Sequence, residues 1–178
     1  MKSSFCLFLA FASLAFMPAQ DELSDENTVA NFKAAFLFQF ATSNNWKNTG
    51  NRDSFTIGVI SSQAVFEELV DKFANKPVGA QSLKVVMMEK SNQLSDIQLL
   101  YLSKPFCKEK PAEAQKWISD CEGKPILVVS DHSSGHTWGS AINFKVVDNR
   151  VRYSVNSENA LKQGVTLGSK IISWAVQD

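Results

Sequence analysis

Residues 55–60 read Phe-Thr-Ile-Gly-Val-Ile, and this nearly continuous apolar run decides the fold of the chain. A short run that is apolar at successive positions is typical of a strand buried on both faces, as in a parallel sheet. Three further runs of the same kind follow at residues 83–88, 97–102 and 125–129. Together they predict a largely parallel sheet covered by helices on both sides.

Helical patterns occupy residues 63–74 and 111–120, each of them between two of these apolar runs. A helix is the usual connection between parallel strands, so the pattern predicts βαβ units. Only residues 89–96 connect the second run to the third, which is short for a full crossover. The strand order in this region therefore stays open.

A hairpin is predicted near the end of the chain. Apolar and polar residues alternate over residues 142–146 and 151–155, on the two sides of Asp148-Asn149. Alternation indicates strands with one packed face, and Asp and Asn tolerate the left-handed backbone of a tight turn. The expected fold class is thus α/β: a three-layer mixed sheet, largely parallel, with a C-terminal antiparallel hairpin and helices on both faces.

Helices are also expected at both ends of the mature chain. A polar stretch at residues 24–27 precedes apolar residues at helical spacing, which predicts a helix that buries an aromatic stripe. A second helix begins near Glu158, is interrupted at Gly164 and resumes over residues 168–176. The expected buried stripe of the first helix consists of Val29, Phe32, Phe36 and Phe40.

The N-terminus predicts export. An almost unbroken apolar run covers residues 5–17, and strongly polar residues 21–26 follow it at once. This arrangement is typical of a secretory signal peptide, and the run is too short to span a membrane comfortably. Cleavage after Ala19 gives a signal peptide at residues 1–19 and a single periplasmic domain at 20–178, with a retained N-terminal anchor as the alternative.

The composition excludes several classes of protein. The 178 residues are 44% hydrophobic and 20% charged, and their formal net charge is zero. Neither disorder nor electrostatic capture of nucleic acid has support in such a composition. We expect a compact protein with no nucleic-acid partner and no cofactor.

Two cysteines, Cys107 and Cys121, remain after removal of the leader. In an oxidising compartment a pair that closes so short a loop predicts one disulfide, which would tie the two ends of one helix and contribute about 3 kcal/mol. The alternative is a redox couple. That alternative lacks the Cys-x-x-Cys spacing that lowers a thiol pKa.

Polar residues follow three of the predicted strands. Ligands of open α/β sheets bind outside the carboxyl ends of the strands, and a helix that starts there offers free N–H groups to an anion. The alternative is that Ser61 or Ser62 is a helix N-cap and that Ser130-Asp131 forms a turn. The candidate ligand-binding residues are Ser61, Ser62, Ser103, Ser130 and Asp131.

Both histidines of the chain lie in one short segment, residues 131–136, which reads Asp-His-Ser-Ser-Gly-His. A closed zinc site needs four ligands from more than one element, whereas Ser-Ser-Gly between His132 and His136 indicates a flexible surface loop. The chain also lacks the Gly-x-Ser-x-Gly elbow of serine hydrolases. We expect a solvated loop here, no metal site and no catalytic residues.

Several segments of the sequence resemble the YfiR family. Residues 32–40 (Phe-Lys-Ala-Ala-Phe-Leu-Phe-Gln-Phe) are similar to that family's Lys-Ala-Ala-Phe-Leu-Tyr-Asn-Phe opening, with Trp46 where its Trp-Pro usually follows. Residues 141–144 and 169–172 are similar to its Met-Ile-Asn-Phe and Ser-Arg-Leu-Leu segments. Ile97 stands where the family has a cysteine, so the family's disulfides cannot be carried over.

The resemblance implies a periplasmic protein that represses an inner-membrane diguanylate cyclase, or a related sensor, by binding its external domain. This would lower cyclic-di-GMP and biofilm formation. The alternative is a periplasmic small-molecule-binding protein with a pocket at the strand C-terminal ends. An exposed apolar patch that includes Trp46 or Trp138 would favour a protein partner, and a deep cavity lined by Ser61, Ser103 and Asp131 would favour a ligand. The sequence leaves open whether the chain forms a homodimer.

Overall fold

The computed structural model describes residues 26–46 and 53–177, with the backbone alone at residues 91–93. The predicted signal peptide, residues 1–19, lies outside the described residues.

The described residues form a seven-stranded sheet in the order β3-β4-β2-β5-β6-β7-β8. The pairs β4–β2, β2–β5, β5–β6 and β6–β7 are parallel, whereas β3–β4 and β7–β8 are antiparallel. This confirms a largely parallel mixed sheet with a C-terminal hairpin. The strands are β2 Ser54–Ile60, β3 Pro77–Val78, β4 Gln81–Met87, β5 Leu99–Leu102, β6 Leu127–Ser130, β7 Ile142–Val147 and β8 Arg150–Val155.

Helices cover both faces of the sheet, as predicted. Two of them, α1 and α2, pack on one face, and α3 and α4 pack on the other together with a 3-10 helix at Ser91–Asp96. The helices are α1 Glu26–Ser43, α2 Gln63–Phe73, α3 Lys104–Glu109, α4 Pro111–Ser119, α5 Gly135–Trp138, α6 Ser157–Lys162 and α7 Ser169–Trp174.

The buried face of α1 differs from the predicted aromatic stripe. Phe32 is 49% exposed, whereas Phe40 is fully buried in the core together with Ala34. Phe36 is partly buried against the same core, and the ring centroids of Phe36 and Phe40 lie 5.2 and 4.9 Å from that of Tyr153. The predicted stripe is therefore confirmed at Phe40 and wrong at Phe32, and Ala30, Ala34, Leu37 and Ala41 complete the buried face.

The short connection from β4 to β5 crosses over β2, which lies between them in the sheet. Its 3-10 helix is compact enough to make this crossing in few residues. Leu94 and Ile97 anchor the connection because both side chains are buried in the core.

The hairpin turn agrees with the sequence-based prediction, whereas the C-terminal segment differs from it near Gly164. Asp148 and Asn149 have φ of 48° and 54°, as a tight two-residue turn requires. The expected interruption near Gly164 contains a short strand, β9 (Val165–Thr166), which pairs with β1 (Asn45–Trp46) in a separate ribbon.

The predicted disulfide is absent from the structure, where Cys107 and Cys121 are free, buried thiols. The two residues do not close one helix, because the chain breaks at Lys110 and Pro111 between α3 and α4. The Cys121 thiol donates instead to the Trp117 carbonyl oxygen at 3.2 Å. Burial raises the pKa of each thiol to about 12.

Candidate functional site

Three of the predicted site residues organise the ends of β2 and β5. Ser61 has a left-handed backbone with φ of 56°, and its carbonyl oxygen accepts a hydrogen bond from Ser103 Oγ at 2.8 Å. Ser62 caps α2 by accepting from Val65 N at 3.4 Å. Ser103 is buried and caps α3 by accepting from Phe106 N at 3.5 Å. The hydroxyls of Ser62 and Ser103 thus stabilise the starts of two helices.

Ser130 belongs to a buried polar network rather than to an open site. In the amide orientation that satisfies all of its partners, Asn143 donates to Ser130 Oγ at 2.7 Å and to Ser140 Oγ at 2.5 Å, and it accepts from His136 N at 3.0 Å. A Cβ on Gly135 would lie 2.0 Å from Ser130 Oγ. Glycine at this position therefore allows α5 to pack directly on the network.

The second half of the histidine segment begins helix α5 (Gly135–Trp138), so the expectation of a loop over residues 131–136 is wrong there. Nδ1 of His136 lies 3.0 Å from the Ser140 carbonyl oxygen, and Nε2 lies 2.9 Å from Ser154 Oγ. The Asn159 amide donates to the carbonyl oxygens of His136 and Ser140, at 2.9 and 3.0 Å. Among residues 26–46 and 53–177, no group of three or more His, Cys, Asp or Glu side chains is placed to hold a metal ion.

Asp131 is engaged by a residue that the sequence analysis missed. Its carboxylate forms an ion pair with Lys33 of α1, and the two side chains are only 11% and 14% exposed, respectively. The Tyr101 hydroxyl lies 3.4 Å from the same carboxylate oxygen. Burial, and then the negative charge of Asp131, raise the pKa of Tyr101 well above its usual range. Asp131 thus joins α1 to the carboxyl end of β6.

An open cleft of about 600 Å³ lies at the carboxyl ends of β2 and β4, beside α3 and α4. Of the predicted ligand residues, Ser61 and Ser62 line this cleft, while Ser103, Ser130 and Asp131 do not. The lining combines buried apolar side chains with polar and charged ones at the rim. The apolar lining consists of Ile60, Met87, Met88, Phe106 and Trp117, and the polar lining consists of Ser61, Ser62, Gln63, Glu89, Lys110 and Glu113.

The charges at the rim of the cleft are unequally paired. Lys110 Nζ lies 3.6 Å from a carboxylate oxygen of Glu113 one helical turn away. Glu89 is exposed and forms no ion pair with any described residue. The cleft therefore presents one carboxylate that a cationic group could approach.

The two tryptophans proposed to contact a partner are both held by contacts within the chain. Trp46 donates to the Ala41 carbonyl oxygen at 3.0 Å, and its ring centroid lies 4.8 Å from that of Phe55. Trp138 stacks on His132 with centroids 4.3 Å apart. The more exposed large apolar side chains lie elsewhere: Phe32, Val70, Val146, Val147, Leu161, Ile172 and Trp174.

The fold and the cleft together define a three-layer α/β protein with an open, mixed polar and apolar cleft at its strand ends. Residues 30–176 match the model of the YfiR/HmsC-like family, and the chain belongs to this family. In general terms, its members are periplasmic regulators of diguanylate cyclases. A comparison with curated proteins found no match. No helix in the described ranges is long and apolar enough to cross a membrane.

Proposed function

We propose that this chain is an exported regulator that represses an inner-membrane diguanylate cyclase, or a related sensor, by binding its external domain. The observation that carries the proposal is the family match, which extends from α1 to beyond α7. A signal peptide at residues 1–19 would place the protein in the compartment that such an external domain faces.

The contacts of the strand-end residues favour a binding protein over an enzyme. Ser62 and Ser103 cap helices, Ser130 is bonded within a buried network, and Asp131 is paired with Lys33. A general base or nucleophile needs a side chain that can reach a substrate. These side chains instead stabilise helix starts and contacts within the fold.

The experiment that tests this function measures intracellular cyclic-di-GMP in the source bacterium. The gene is deleted and then restored either in full or without residues 1–19, which serves as the matched control for export. We expect cyclic-di-GMP to rise on deletion and to fall again only with the exported form. An unchanged level in the deletion strain would contradict the repressor function.

The cleft favours a second candidate, a periplasmic protein that binds a small molecule. Its volume of about 600 Å³ lies in the range of ligand sites. Native mass spectrometry of the protein purified from its own periplasm would then show a bound molecule. Gln63→Trp, at the rim, should remove that molecule, whereas Asp71→Trp, which is exposed on α2 outside the cleft, should retain it.

A further inference from the structure

The backbone hydrogen bonds of β4 show which of its residues face the neighbouring strand β2. Ser82 N donates to Asp53 O at 3.2 Å, and Met88 N donates to Val59 O at 2.8 Å. The backbone N–H and C=O groups of successive residues point to alternate sides of a strand. Those of the even-numbered residues of β4 therefore point toward β2. The backbone N–H and C=O groups of the odd-numbered residues point to the outer edge of the sheet.

At the start of this outer edge the backbone groups are satisfied. Leu83 N donates to Lys76 O at 2.8 Å, and Leu83 O accepts from Asn75 N at 2.9 Å. The pairing of β3 with β4 involves only Gln81 and Ser82. Cover of the edge therefore ends at Leu83.

Beyond this point the edge is open. The outward N–H and C=O groups of Val85 and Met87 make no hydrogen bond with any residue in the described ranges. At the opposite edge of the sheet the C-terminal segment contributes cover, since Val176 N donates to Tyr153 O at 2.9 Å. An open edge strand is a template for the addition of another strand.

The open edge is continuous with the cleft. Met87, Met88 and Glu89 line the cleft, and Met87 also belongs to the edge. A strand added to β4 would therefore run past an apolar cavity and past the carboxylate of Glu89, which forms no ion pair with any described residue. An added strand that complements this edge would have free backbone N–H and C=O groups, an apolar side chain that packs beside Met88 and a basic side chain near Glu89.

A second copy of this chain is a poor occupant of the edge. Asn75 and Lys76 occupy the edge at Leu83, two residues before Val85. In an antiparallel pairing of two β4 strands, each copy would bring its own Asn75–Lys76 segment into the space that the other strand needs beyond Met87. A single extended segment from a different protein meets the Asn75–Lys76 segment only at Leu83, and it can continue past Met87 without bringing a second such segment.

We propose that an extended segment of the external domain of the membrane partner adds to the sheet as a strand along Val85–Met87, with its apolar side chain in the cleft. This inference rests on the proposed repressor function and names the contact through which this chain would exert it.

Proline substitutions on the edge provide the test. Val85→Pro and Met87→Pro each remove an outward N–H that the fold does not use, so both variants should fold. Ser157→Pro is the matched control, because Ser157 is an exposed first residue of α6, where proline is tolerated. Thermal unfolding should keep all three melting temperatures within about 5 °C of the wild type.

The readout is cyclic-di-GMP in the deletion strain that carries each exported form at equal abundance. The wild type and Ser157→Pro should restore the low level, whereas Val85→Pro and Met87→Pro should leave the level of the deletion strain. Glu89→Lys, which inverts the charge at the cleft, should relieve repression in part. Full repression by both edge variants would overturn the inference, whereas failure of the wild type itself would instead refute the proposed function.

Amide hydrogen exchange of the purified mature chain identifies the occupant independently of these variants. The amides of Val85 and Met87 should exchange as fast as unprotected amides at every protein concentration. Protection in dilute solution would show that a segment of the same chain covers the edge. Protection that increases with concentration would show that a second copy does, and either result would overturn the inference.

Discussion

The ion pair between Lys33 and Asp131 joins α1 to the carboxyl end of β6, and we expect its loss to destabilise the fold. The two side chains are only 14% and 11% exposed, so water can solvate little of either charge. Removing one partner of a buried pair costs about 3–5 kcal/mol, because the remaining charge is left without compensation. The residual exposure places Lys33→Met at the lower end, about 3 kcal/mol.

Urea unfolding of the mature chain measures this loss as a change in the free energy of unfolding. The total for a domain of this kind is about 5–15 kcal/mol, so the effect is large enough to resolve. The double variant Lys33→Met/Asp131→Asn removes both charges. Its loss of unfolding free energy should be at least about 1 kcal/mol smaller than the sum of the two single losses, because the double variant leaves no unpaired charge behind, whereas each single variant does.

An exposed ion pair on α4 provides the matched control. Lys116 lies 2.8 Å from Asp120, but its side chain is 69% exposed. Lys116→Met should change the free energy of unfolding by less than about 1 kcal/mol. The reasoning would be refuted if Lys33→Met were as mild as this control, or if the two substitutions at the buried pair were strictly additive.

Three further predictions concern the polar network, the thiols and the strand direction. Gly135→Ala should lower the free energy of unfolding by about 2–4 kcal/mol in urea titrations, because its Cβ would overlap Ser130 Oγ. The thiols of Cys107 and Cys121 should resist a thiol-specific reagent at pH 8 in the native protein and react in urea. Folding raises the pKa of both thiols from 9.0 to about 12, so the neutral thiols contribute stability that is fully present below pH 9. This contribution should be lost as the pH rises from 9 to about 12. A variant with both cysteines replaced by alanine should show no such loss. Val86→Pro should lower the melting temperature strongly, because the alternation along β4 directs its N–H toward β2.

Local apolar runs and alternation were sufficient to predict the four parallel strands and the hairpin, but not the two-residue strands β1, β3 and β9. β2 begins one residue before the predicted run 55–60, and the turn at Asp148 and Asn149 has the expected backbone. These features depend on neighbouring residues alone. α3 was missed because residues 104–109 form a helix of less than two turns, too short to show a clear apolar period.

Contacts between distant residues could not be predicted in the same way. Lys33 and Asp131 are separated by 98 residues, and His136 reaches Ser154 across 18 residues. In the sequence Asp131 appears as a free carboxylate at a strand end, because nothing nearby indicates its cation. The alternative interpretation of Ser62 as a helix cap agrees with the structure, whereas the cap at Ser103 could not be predicted because α3 was missed. Their role in ligand binding stays a prediction.

The open part of β4 illustrates why the topology matters more than the composition of a strand. The apolar run at residues 83–88 predicts a strand buried on both faces, but Lys84 is exposed and residues 85–87 are only partly buried. The short connection to β5 crosses β2, however, and this places β4 next to the outer edge of the sheet. β3 is too short to cover the remainder, so Val85 and Met87 keep open backbone groups in an apolar strand. A protein that acts alone would be expected to protect such an edge with charge, proline or a bulge. The exposed Lys84 supplies one such charge on β4, but residues 85–87 carry neither charge nor proline, and this is the reason to look for the partner of this chain at β4 first.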